Sequence, residues 1–405
     1  MNKISFILPS RDNLKYLKWS YQSIRTNLKT QHEICMYDDF SSDGTWEWMT
    51  GISKIDHNVK IFRNEGPTRL GHTILYDELI KNASNEVVMI WHADMYAFPG
   101  LDDAIFKNIS RRKIVSLTRI EPPLHPPGPE KITQDWGTEP EQFDQNAAKD
   151  FVEDFKKHYN GQMTNGIFAP WAIYKTDFQS IGGHDPLFAP QSREDSDIFN
   201  RFLLAGFELV QTWEGFVYHM TCRGSRFNPN ITTVGQASPE WLAQNKRSER
   251  NFIRKWGSHI KHDDKLLPVV SKKYNIEFIL KNLFAVEILN ILEPHCDKLI
   301  IDNTMTPDFM TDHLIESYIK TEQPNTKFDL KSKIIEYKTN DAIPYADVIV
   351  EFDCSNIKAE DISLLSVLPE MITDVSGIGV YEIENLRVKI LSLESHEKDL
   401  INLKK

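Results

Sequence analysis

The sequence predicts an α/β fold: a mostly parallel sheet flanked by helices, followed by a second, smaller α/β domain. Short apolar β-rich runs alternate with stretches of helical periodicity in the first part of the chain. At 405 residues the chain is also longer than the roughly 250–300 residues that one hydrophobic core usually supports. The alternation resumes after a polar stretch, so we predict domains at residues 1–262 and 263–405.

The first half of the chain supplies four strands and the helices between them. The predicted strands are apolar, β-rich and followed by polar turns, and they cover residues 3–8, 32–37, 59–63 and 86–91. Helical spacing of apolar residues covers residues 14–28 and 72–81, and Ser42 or Asp43 can cap a further helix between the second and third strands. Strands joined through helices indicate parallel pairing with right-handed crossovers.

The middle of the chain is less regular. Residues 119–166, with the proline cluster EPPLHPPGPE, predict a long loop that is functional or mobile. A helix is then expected over EDSDIFNRFLLAGF, and a strand over residues 209–213 leads on to FVYHM. An amphipathic helix is predicted at 241–256, and GSHIKHDDK after it is the candidate linker.

The last part of the chain again alternates strands with helices. Strands are predicted at 298–302, 333–337 and 346–353, and helices at 307–321 and 361–368. This predicts a Rossmann-like α/β domain. The first strand is not followed by a GxGxxG loop, so the sequence gives no ground for a dinucleotide or methyl-donor site there.

Composition narrows the class of protein. The chain is 40% hydrophobic and 26% charged with a net charge of −11, which is typical of a folded globular protein. Without a long Lys/Arg run, nucleic acid is not expected as a partner. No apolar run approaches the ~20 residues that cross a bilayer, and the N-terminus does not resemble a signal peptide. Four cysteines without CxxC spacing fit reduced core thiols, so we expect a cytoplasmic protein.

Carboxylates follow the predicted strands at the edge where open sheets bind ligands. Asp38 and Asp39 end the second strand, where a carboxylate could accept a hydrogen bond from a nucleobase, although DD before Ser and Gly is also common turn chemistry. Asp94 lies just beyond the apolar run EVVMIW. Its oxygens suit Mg²⁺ or Mn²⁺, and a plain turn carboxylate is the alternative.

A second group of polar residues comes later in the chain. Glu194 and Asp195 begin a helix whose N-terminal dipole is expected to keep a carboxylate ionised, as a general base requires, although acidic residues at helix starts are common. His219 ends FVYHM and is followed by Arg223 and Arg226, which could bind phosphate oxygens. A lone histidine is more often structural, but this one is part of a cationic cluster.

Taken in order, these motifs resemble the family-2 glycosyltransferases, a large inverting group with the GT-A fold. The resemblance covers about residues 3–260. The motifs that carry it are ISFILPSRDNLKYLKWSYQSI, MYDDFSSDGT, VVMIWHADMYAFPG, IGGHDPLF, REDSDIFNR, VYHM and NFIRKWG.

The resemblance implies direct transfer of a sugar, with inversion, from a nucleotide-diphosphate sugar to an acceptor hydroxyl. A uridine nucleotide is the expected donor, a glycan or other hydroxyl compound the acceptor, and Mn²⁺ or Mg²⁺ the cofactor. It makes Asp94 and His219 metal ligands, and Asp195, with Glu194 beside it, the general base. The residues assigned to the nucleotide pocket are Pro9, Ser10, Asp38, Asp39, Arg69, His92 and Arg223.

The sequence departs from the family pattern at the metal motif. His92 replaces the first Asp of the DxD-like motif, which predicts weaker metal binding. The loop after the first strand reads SRDN in place of the frequent aromatic-Asn ending. No QxxRW motif is present, so a processive polymer synthase is disfavoured.

Two other functions stay open at this point. One is a catalytically degenerate GT-A protein that binds a nucleotide or glycan. The other is a sugar-phosphate nucleotidyltransferase, which SRDNLKYL disfavours because it contains no glycine to cradle a triphosphate. For residues 263–405 the alternatives are acceptor recognition, a subunit interface of a homo-oligomer, or a degenerate enzyme domain.

Overall fold

The computed structural model describes residues 2–159, 161–221, 223, 237–302, 308–336, 346–372 and 377–403. The chain forms two compact units. Residues 1–245, 262–269 and 403–405 make the N-terminal unit, and residues 246–261 and 270–402 make the C-terminal unit. Residues 246–261, predicted in the first domain, therefore belong to the C-terminal unit, and the boundary at 262 stays a prediction.

Within the described residues, the N-terminal unit contains ten strands in one mixed sheet. They are β1 (Ile4–Ser10), β2 (Glu33–Asp38), β3 (Val59–Arg63), β4 (Val87–Ile90), β5 (Met95–Ala97), β6 (Lys113–Glu121), β7 (Lys131–Thr133), β8 (Met163–Asn165), β9 (Trp171–Tyr174) and β10 (Glu208–His219). The order is β3-β2-β1-β4-β9-β6-β10-β5, with β7 paired to β6 and β8 to β10. The first four positions are parallel, and β10 runs parallel to β6, while β5, β8 and β9 are antiparallel to their partners.

Helices connect these strands. They are α1 (Leu14–Asn27), α2 (Thr45–Ile55), α3 (His72–Asn82), α4 (Leu101–Asn108), α5 (Gln145–Tyr159), α6 (Lys175–Ser180), α7 (Glu194–Leu204) and α8 (Pro239–Trp256), of which α8 contributes to both units. The fully buried strand residues Phe6, Leu8 and Met36 pack with Leu17 and Ile24 of α1. This apolar layer holds the strand ends in fixed positions, as close packing requires.

The predicted irregular region at 119–166 is wrong in part, because it contains the end of β6, the strands β7 and β8, and the helix α5. The signal for α5 was present, since Ala148, Phe151, Val152 and Phe155 recur at helical spacing. These residues pack with Phe216, Tyr218 and neighbouring side chains in a second apolar cluster. The surrounding prolines and polar residues made this helical periodicity hard to recognise, and tertiary packing stabilises the helix.

The C-terminal unit is built on a six-stranded sheet. Its elements are β11 (Ile276–Lys281), α9 (Val286–Leu292), β12 (Lys298–Asp302), α10 (Asp308–Glu322), α11 (Leu330–Lys333), β13 (Ile334–Glu336), β14 (Val348–Asp353), α12 (Ala359–Ser366), α13 (Leu368–Met371), β15 (Gly379–Ile383) and β16 (Leu386–Ile390). The order is β13-β12-β11-β14-β16-β15, and the first four are parallel. The predicted fold class is thus confirmed for both parts of the chain.

Sequence patterns located some elements of this unit and missed others. The strand predicted at 333–337 begins in the structure at Ile334, one residue later, and follows a short helix, while β11 and the β15–β16 hairpin were not predicted. Three cysteines in the described ranges, Cys35, Cys296 and Cys354, are buried free thiols. Within those ranges no helix is both long and apolar enough to cross a membrane.

Candidate active site

Three metal-ligand side chains meet at the carboxyl edge of the N-terminal sheet. His92, Asp94 and His219 each offer one ligand atom, and these atoms lie within 4.8 Å of one another. His92 and Asp94 follow β4 directly, and His219 is the last residue of β10. The backbone fixes this meeting, because β5 pairs antiparallel to β10 with Met95 opposite His219. The N–H of Met220 also donates to the Asp94 carbonyl at 3.1 Å.

His219 sits between two buried carboxylates. Its Nδ1 is 2.7 Å from Oε1 of Glu121, and its Nε2 is 3.4 Å from Oδ1 of Asp94. Burial lowers the pKa of His219, but Asp94 and Glu121 outweigh it and raise that pKa to about 9. Burial likewise opposes ionisation of Asp94, and the neighbouring His219 nevertheless lowers the pKa of this carboxyl. The carboxylates therefore create a strong preference for positive charge at this point.

His92 has a different environment from His219. Burial and the nearby His219 lower the pKa of His92 to about 3, so its ring is neutral at neutral pH. Its ring contacts the rings of His72 and His219. Neutral imidazole is the form that coordinates metals. The sequence assigned His92 to the nucleotide pocket, and the structure brings its ring to the two predicted metal ligands.

The donor set of two imidazoles and one carboxylate fits a divalent transition metal. Protein sites of this kind leave positions open for other ligands. The three groups converge, and the charge of the surrounding carboxylates is suited to a cation. The residues present therefore fit the metal that the resemblance implies.

The predicted base-binding residues lie at the ends of β1 and β2. Pro9 and Ser10 end β1, and both are buried, as are Asp38 and Asp39. Among the described residues, Ser10 Oγ and Asp38 Oδ2 make no hydrogen bond, although Arg63 Nε lies 3.4 Å from the latter. Burial raises the pKa of Asp38. Buried polar atoms of this kind call for an explanation, and a bound ligand is one.

Asp39 organises the neighbouring loop. Its Oδ1 accepts hydrogen bonds from the Asn64 side chain and the Leu70 N–H, and its Oδ2 accepts one from the Gly71 N–H at 2.9 Å. Arg69 Nε is 3.8 Å from Oδ2, and Arg69 also donates to the Gln191 side chain at 2.6 Å. Carboxylate oxygens can accept more than one hydrogen bond, so Asp39 can still bind a ligand.

Glu194 and Asp195 begin α7, as predicted. Asp195 is exposed, and its Oδ1 accepts from the N–H of Ser196. The helix dipole is expected to keep a carboxylate ionised at this position, and at Glu194 two larger effects oppose it. Burial and the adjacent Asp195 raise the pKa of Glu194 to about 8, and its Oε2 makes no hydrogen bond among the described residues. Desolvation and like charge thus exceed the effect of the dipole.

Tyr76 connects the acidic pair to the metal-ligand cluster. Burial raises the pKa of this phenol well above its usual value, and so do the carboxylates of Glu194, Asp195 and Asp94, which are all close enough to act on it. The candidate base and the candidate metal ligand are therefore both within electrostatic range of one side chain.

Arg223 lies near the same cluster, but its guanidinium has protein partners. It donates to the Thr138 carbonyl at 2.9 Å and lies 3.3 Å from the Glu139 carboxylate. Its influence on the pKa of Tyr16, shared with Asp94, indicates that it is within electrostatic range of the site. Arg226, predicted beside it as a phosphate ligand, is outside the described residues.

Three site residues were not predicted from the sequence: Glu121, His72 and Tyr76. Glu121 ends β6 as Asp38 ends β2, so the position after an apolar strand was the missed signal. His72 and Tyr76 begin α3, and their rings are 5.6 Å apart. Their spacing is that of an ordinary amphipathic helix. The sequence alone therefore does not distinguish a helix face that packs in the core from one that faces a binding site.

Comparison with known proteins finds a family match within the N-terminal unit. Residues 5–168 match the family described as glycosyl transferase family 2. No curated protein sequence matches the chain.

The solved structures that resemble this chain over part of its length include the following three. The crystal structure of GalNAc-T7 with UDP, GalNAc and Mn²⁺ is 16% identical with a TM-score of 0.43, over 62% of this chain and 48% of that one. S. aureus TarS 1-349 in complex with UDP is 18% identical with a TM-score of 0.39, over 61% and 64%. The mannosyltransferase PcManGT from Pyrobaculum calidifontis, in complex with GDP-Man and Mn²⁺, is 13% identical with a TM-score of 0.40, over 61% and 62%. This chain thus covers less than two thirds of each.

Proposed function

We propose, from the premise that the N-terminal unit contains a family-2 glycosyltransferase domain, that this chain transfers a sugar from a nucleotide-diphosphate sugar to an acceptor hydroxyl. The expected donor carries uridine, and the expected stereochemical course is inversion. One observation carries the proposal: His92, Asp94 and His219 converge within 4.8 Å at the carboxyl edge of the sheet in a domain of this family.

The donor site is proposed at the ends of β1 and β2. Asp38 and Asp39 would accept hydrogen bonds from the base, Pro9 and Ser10 would line the pocket, and Arg69 would hold the adjoining loop through Gln191. The buried oxygens of Ser10 and Asp38 that lack hydrogen bonds support this placement. Arg223 would meet the diphosphate after exchanging its present partner Glu139 for phosphate oxygens.

The metal is proposed to be Mn²⁺ in preference to Mg²⁺. Asp94 and His219 would hold it, and His92 would supply the third ligand instead of a contact to the ribose. When bound, the metal would stabilise the charge that develops on the departing diphosphate. Mg²⁺ prefers oxygen ligands and near-ideal octahedral geometry, whereas imidazole nitrogen is a better ligand for transition metals.

Asp195 is proposed as the general base. It is exposed, lies at the start of α7, and could take the proton of an acceptor hydroxyl as that oxygen attacks the anomeric carbon. Glu194, whose raised pKa favours the protonated form, could donate a hydrogen bond to substrate from the same position. Attack from the side opposite the leaving diphosphate inverts the anomeric centre.

Thermal shift of the full-length protein tests donor and metal together. UDP, GDP, CDP, ADP and TDP are each compared without metal, with Mg²⁺ and with Mn²⁺, since a ligand that binds only the folded state raises its melting temperature. We expect the largest shift with UDP and Mn²⁺. No shift with any nucleotide under any metal condition would contradict the proposal.

A hydrolysis assay tests the base. We expect slow, Mn²⁺-dependent hydrolysis of a UDP-sugar, with the inverted sugar released and detected by NMR. Asp195→Asn should lower this rate by about 10²–10⁴-fold and leave the UDP/Mn²⁺ thermal shift unchanged. The matched control is Asp150→Asn, which changes an exposed carboxylate of α5. Equal rates in Asp195→Asn and in the control would remove Asp195 from the mechanism.

A further inference from the structure

Glu121 has an unusual position for a carboxylate. It ends β6, is only 2% exposed, and lies beside the end of β10 because β6 and β10 are parallel with Ile120 opposite Tyr218. Its Oε1 is the 2.7 Å partner of His219 Nδ1. A buried carboxylate is costly unless its charge is compensated, so the contacts around it must offset that cost.

Two cations provide that compensation. Lys131 of β7 donates to Oε2 of Glu121 at 3.0 Å, and Arg119 Nε lies 3.4 Å from Oε1. Arg119 is held in turn by Glu130, whose carboxylate accepts from its guanidinium at 2.9 Å. The Lys131 side chain is itself only 6% exposed. Among the described residues, the Glu121 carboxylate has polar contacts with these two cations and with His219.

The contact determines which nitrogen of His219 is available. An ionised carboxylate can accept hydrogen bonds but cannot donate them. The hydrogen bond to Glu121 therefore requires that Nδ1 of His219 carries a proton. When the ring is neutral, as metal coordination requires, Nε2 carries the lone pair, and it is the nitrogen that faces Asp94 at 3.4 Å. The pairing of β10 with β5 fixes the backbone of His219, and the hydrogen bond to Glu121 then fixes the orientation of its ring.

We propose that Glu121 is a positioning residue that presents Nε2 of His219 to the metal. The inference rests on the proposed metal site and adds a residue that touches neither metal nor substrate. Carboxylates that orient metal-bound histidines commonly contribute about 10–100-fold to metal affinity. Glu121 would therefore set affinity through the tautomer and orientation of the ring.

Titration of the full-length, metal-free protein with Co²⁺ tests this without any turnover. The visible absorption of bound Co²⁺ reports both affinity and ligand geometry. Glu121→Leu removes the acceptor and should weaken Co²⁺ binding by about 10–100-fold with an altered spectrum. Glu121→Gln keeps an amide oxygen that can accept from Nδ1–H, so it should retain the wild-type spectrum and lose about threefold in affinity or less.

The matched control is Glu130→Gln, which neutralises another buried carboxylate of the same network without touching His219. It should bind Co²⁺ as the wild type does. Circular dichroism tests whether each variant is folded. If Glu121→Leu does not fold, the comparison of Glu121→Gln with Glu130→Gln still tests the proposal. An unchanged Co²⁺ absorption spectrum together with a measurable loss of Co²⁺ affinity in Glu121→Gln alone supports the positioning role.

The failures are distinguishable. If His219→Ala weakens Co²⁺ binding and neither Glu121 variant does, the positioning role is overturned while the proposed metal site stands. If the wild type and all variants bind no Co²⁺ or Mn²⁺, the metal site and the positioning role fall together. Equal losses in Glu121→Gln and Glu130→Gln would assign the effect to the charge network and overturn the role of Glu121.

Discussion

The choice of metal is decided at single residues. His92 provides nitrogen where the family pattern has the first carboxylate, and its ring lies with Asp94 and His219. The sequence predicted weaker metal binding from this replacement. The geometry instead supports a ligand exchange, in which an imidazole takes the place of an oxygen and changes which metal is preferred.

His92→Asp should shift metal preference from Mn²⁺ toward Mg²⁺. The variant offers two carboxylates and one imidazole, and hard cations prefer oxygen ligands. The measured quantity is the rate of UDP-sugar hydrolysis with Mg²⁺ divided by the rate with Mn²⁺. We expect this ratio to be about tenfold or more higher in the variant than in the wild type. His92→Ala is the control, and it should lose metal-dependent hydrolysis with both ions. An unchanged Mn²⁺/Mg²⁺ ratio in His92→Asp would place His92 outside the metal site.

The raised pKa of Glu194 gives a stability prediction. This pKa is about 8 in the folded protein against 4.5 for an ordinary Glu, so between these pH values the folded state binds more protons than the unfolded state. Stability therefore falls as pH rises through this window. Glu194→Gln cannot ionise and escapes the loss, so its melting temperature should exceed that of the wild type increasingly from about pH 5 to pH 8.

The control for this pH profile is Glu153→Gln, an exposed carboxylate of α5. Its melting temperature should follow that of the wild type at every pH. A constant difference between Glu194→Gln and the wild type across the window would mean that the Glu194 carboxyl titrates normally.

At the scale of elements, the site depends on how closely two loops approach. Gly71 precedes α3 with φ of +75°, and a Cβ built on it would lie 2.1 Å from the Pro190 carbonyl oxygen. The same Gly71 donates its N–H to Asp39. The loop that carries Arg69 and the loop that leads to α7 therefore meet at a position where only glycine fits without displacement.

Gly71→Ala should destabilise the N-terminal unit by about 2–4 kcal/mol, because the left-handed backbone and the close contact both oppose a side chain. Binding of UDP should weaken with it, since the Asp39 contact moves. Gly51→Ala is the control: this glycine lies within α2 with no heavy atom within 4 Å of a built Cβ. It should stabilise the protein by about 0.5–1 kcal/mol. Thermal and denaturant unfolding curves measure the stability of both variants. Equal changes in the free energy of unfolding for Gly71→Ala and Gly51→Ala would contradict the close approach of the two loops.

Elements with a strong local period could be predicted, and those stabilised by distant contacts could not. The bounds of β3 were predicted to the residue, and α3 to within one residue. The short strand β7 is defined by pairing with β6, and β11 by neighbours far along the chain. The same distinction applies to the site. Asp94 and His219 could be predicted because they lie just after, or at the end of, an apolar strand. Glu121 could not, because its proposed role depends on the pairing of β6 with β10.

For the whole molecule, the two units differ from the predicted domains at three segments, of which residues 263–269 and 403–405 fall in the N-terminal unit. Residues 246–261 belong to the C-terminal unit, where the Arg254 side chain is fully buried and donates to both Glu293 oxygens and to Glu322. Glu293 also accepts from Tyr318 at 2.7 Å and lies 2.6 Å from Lys333 Nζ. Burial opposes ionisation of Glu293, but Lys333 and Arg254 outweigh it and lower its pKa to about 2.

A fragment of residues 246–402 should therefore fold cooperatively, and a fragment of residues 263–402 should not. The shorter fragment lacks Arg254 together with the buried α8 side chains Phe252, Ile253 and Trp256. Loss of the ion-pair partner costs about 3–5 kcal/mol, and loss of the apolar side chains adds to it, so the total approaches the 5–15 kcal/mol that stabilises a typical domain. Urea denaturation followed by circular dichroism measures both. Arg254→Met in the longer fragment separates the ion network from the rest of α8 and should lose about 3–5 kcal/mol without preventing folding. If the two fragments unfold with the same midpoint, residues 246–261 are dispensable to the unit and the predicted boundary at 262 is the better one.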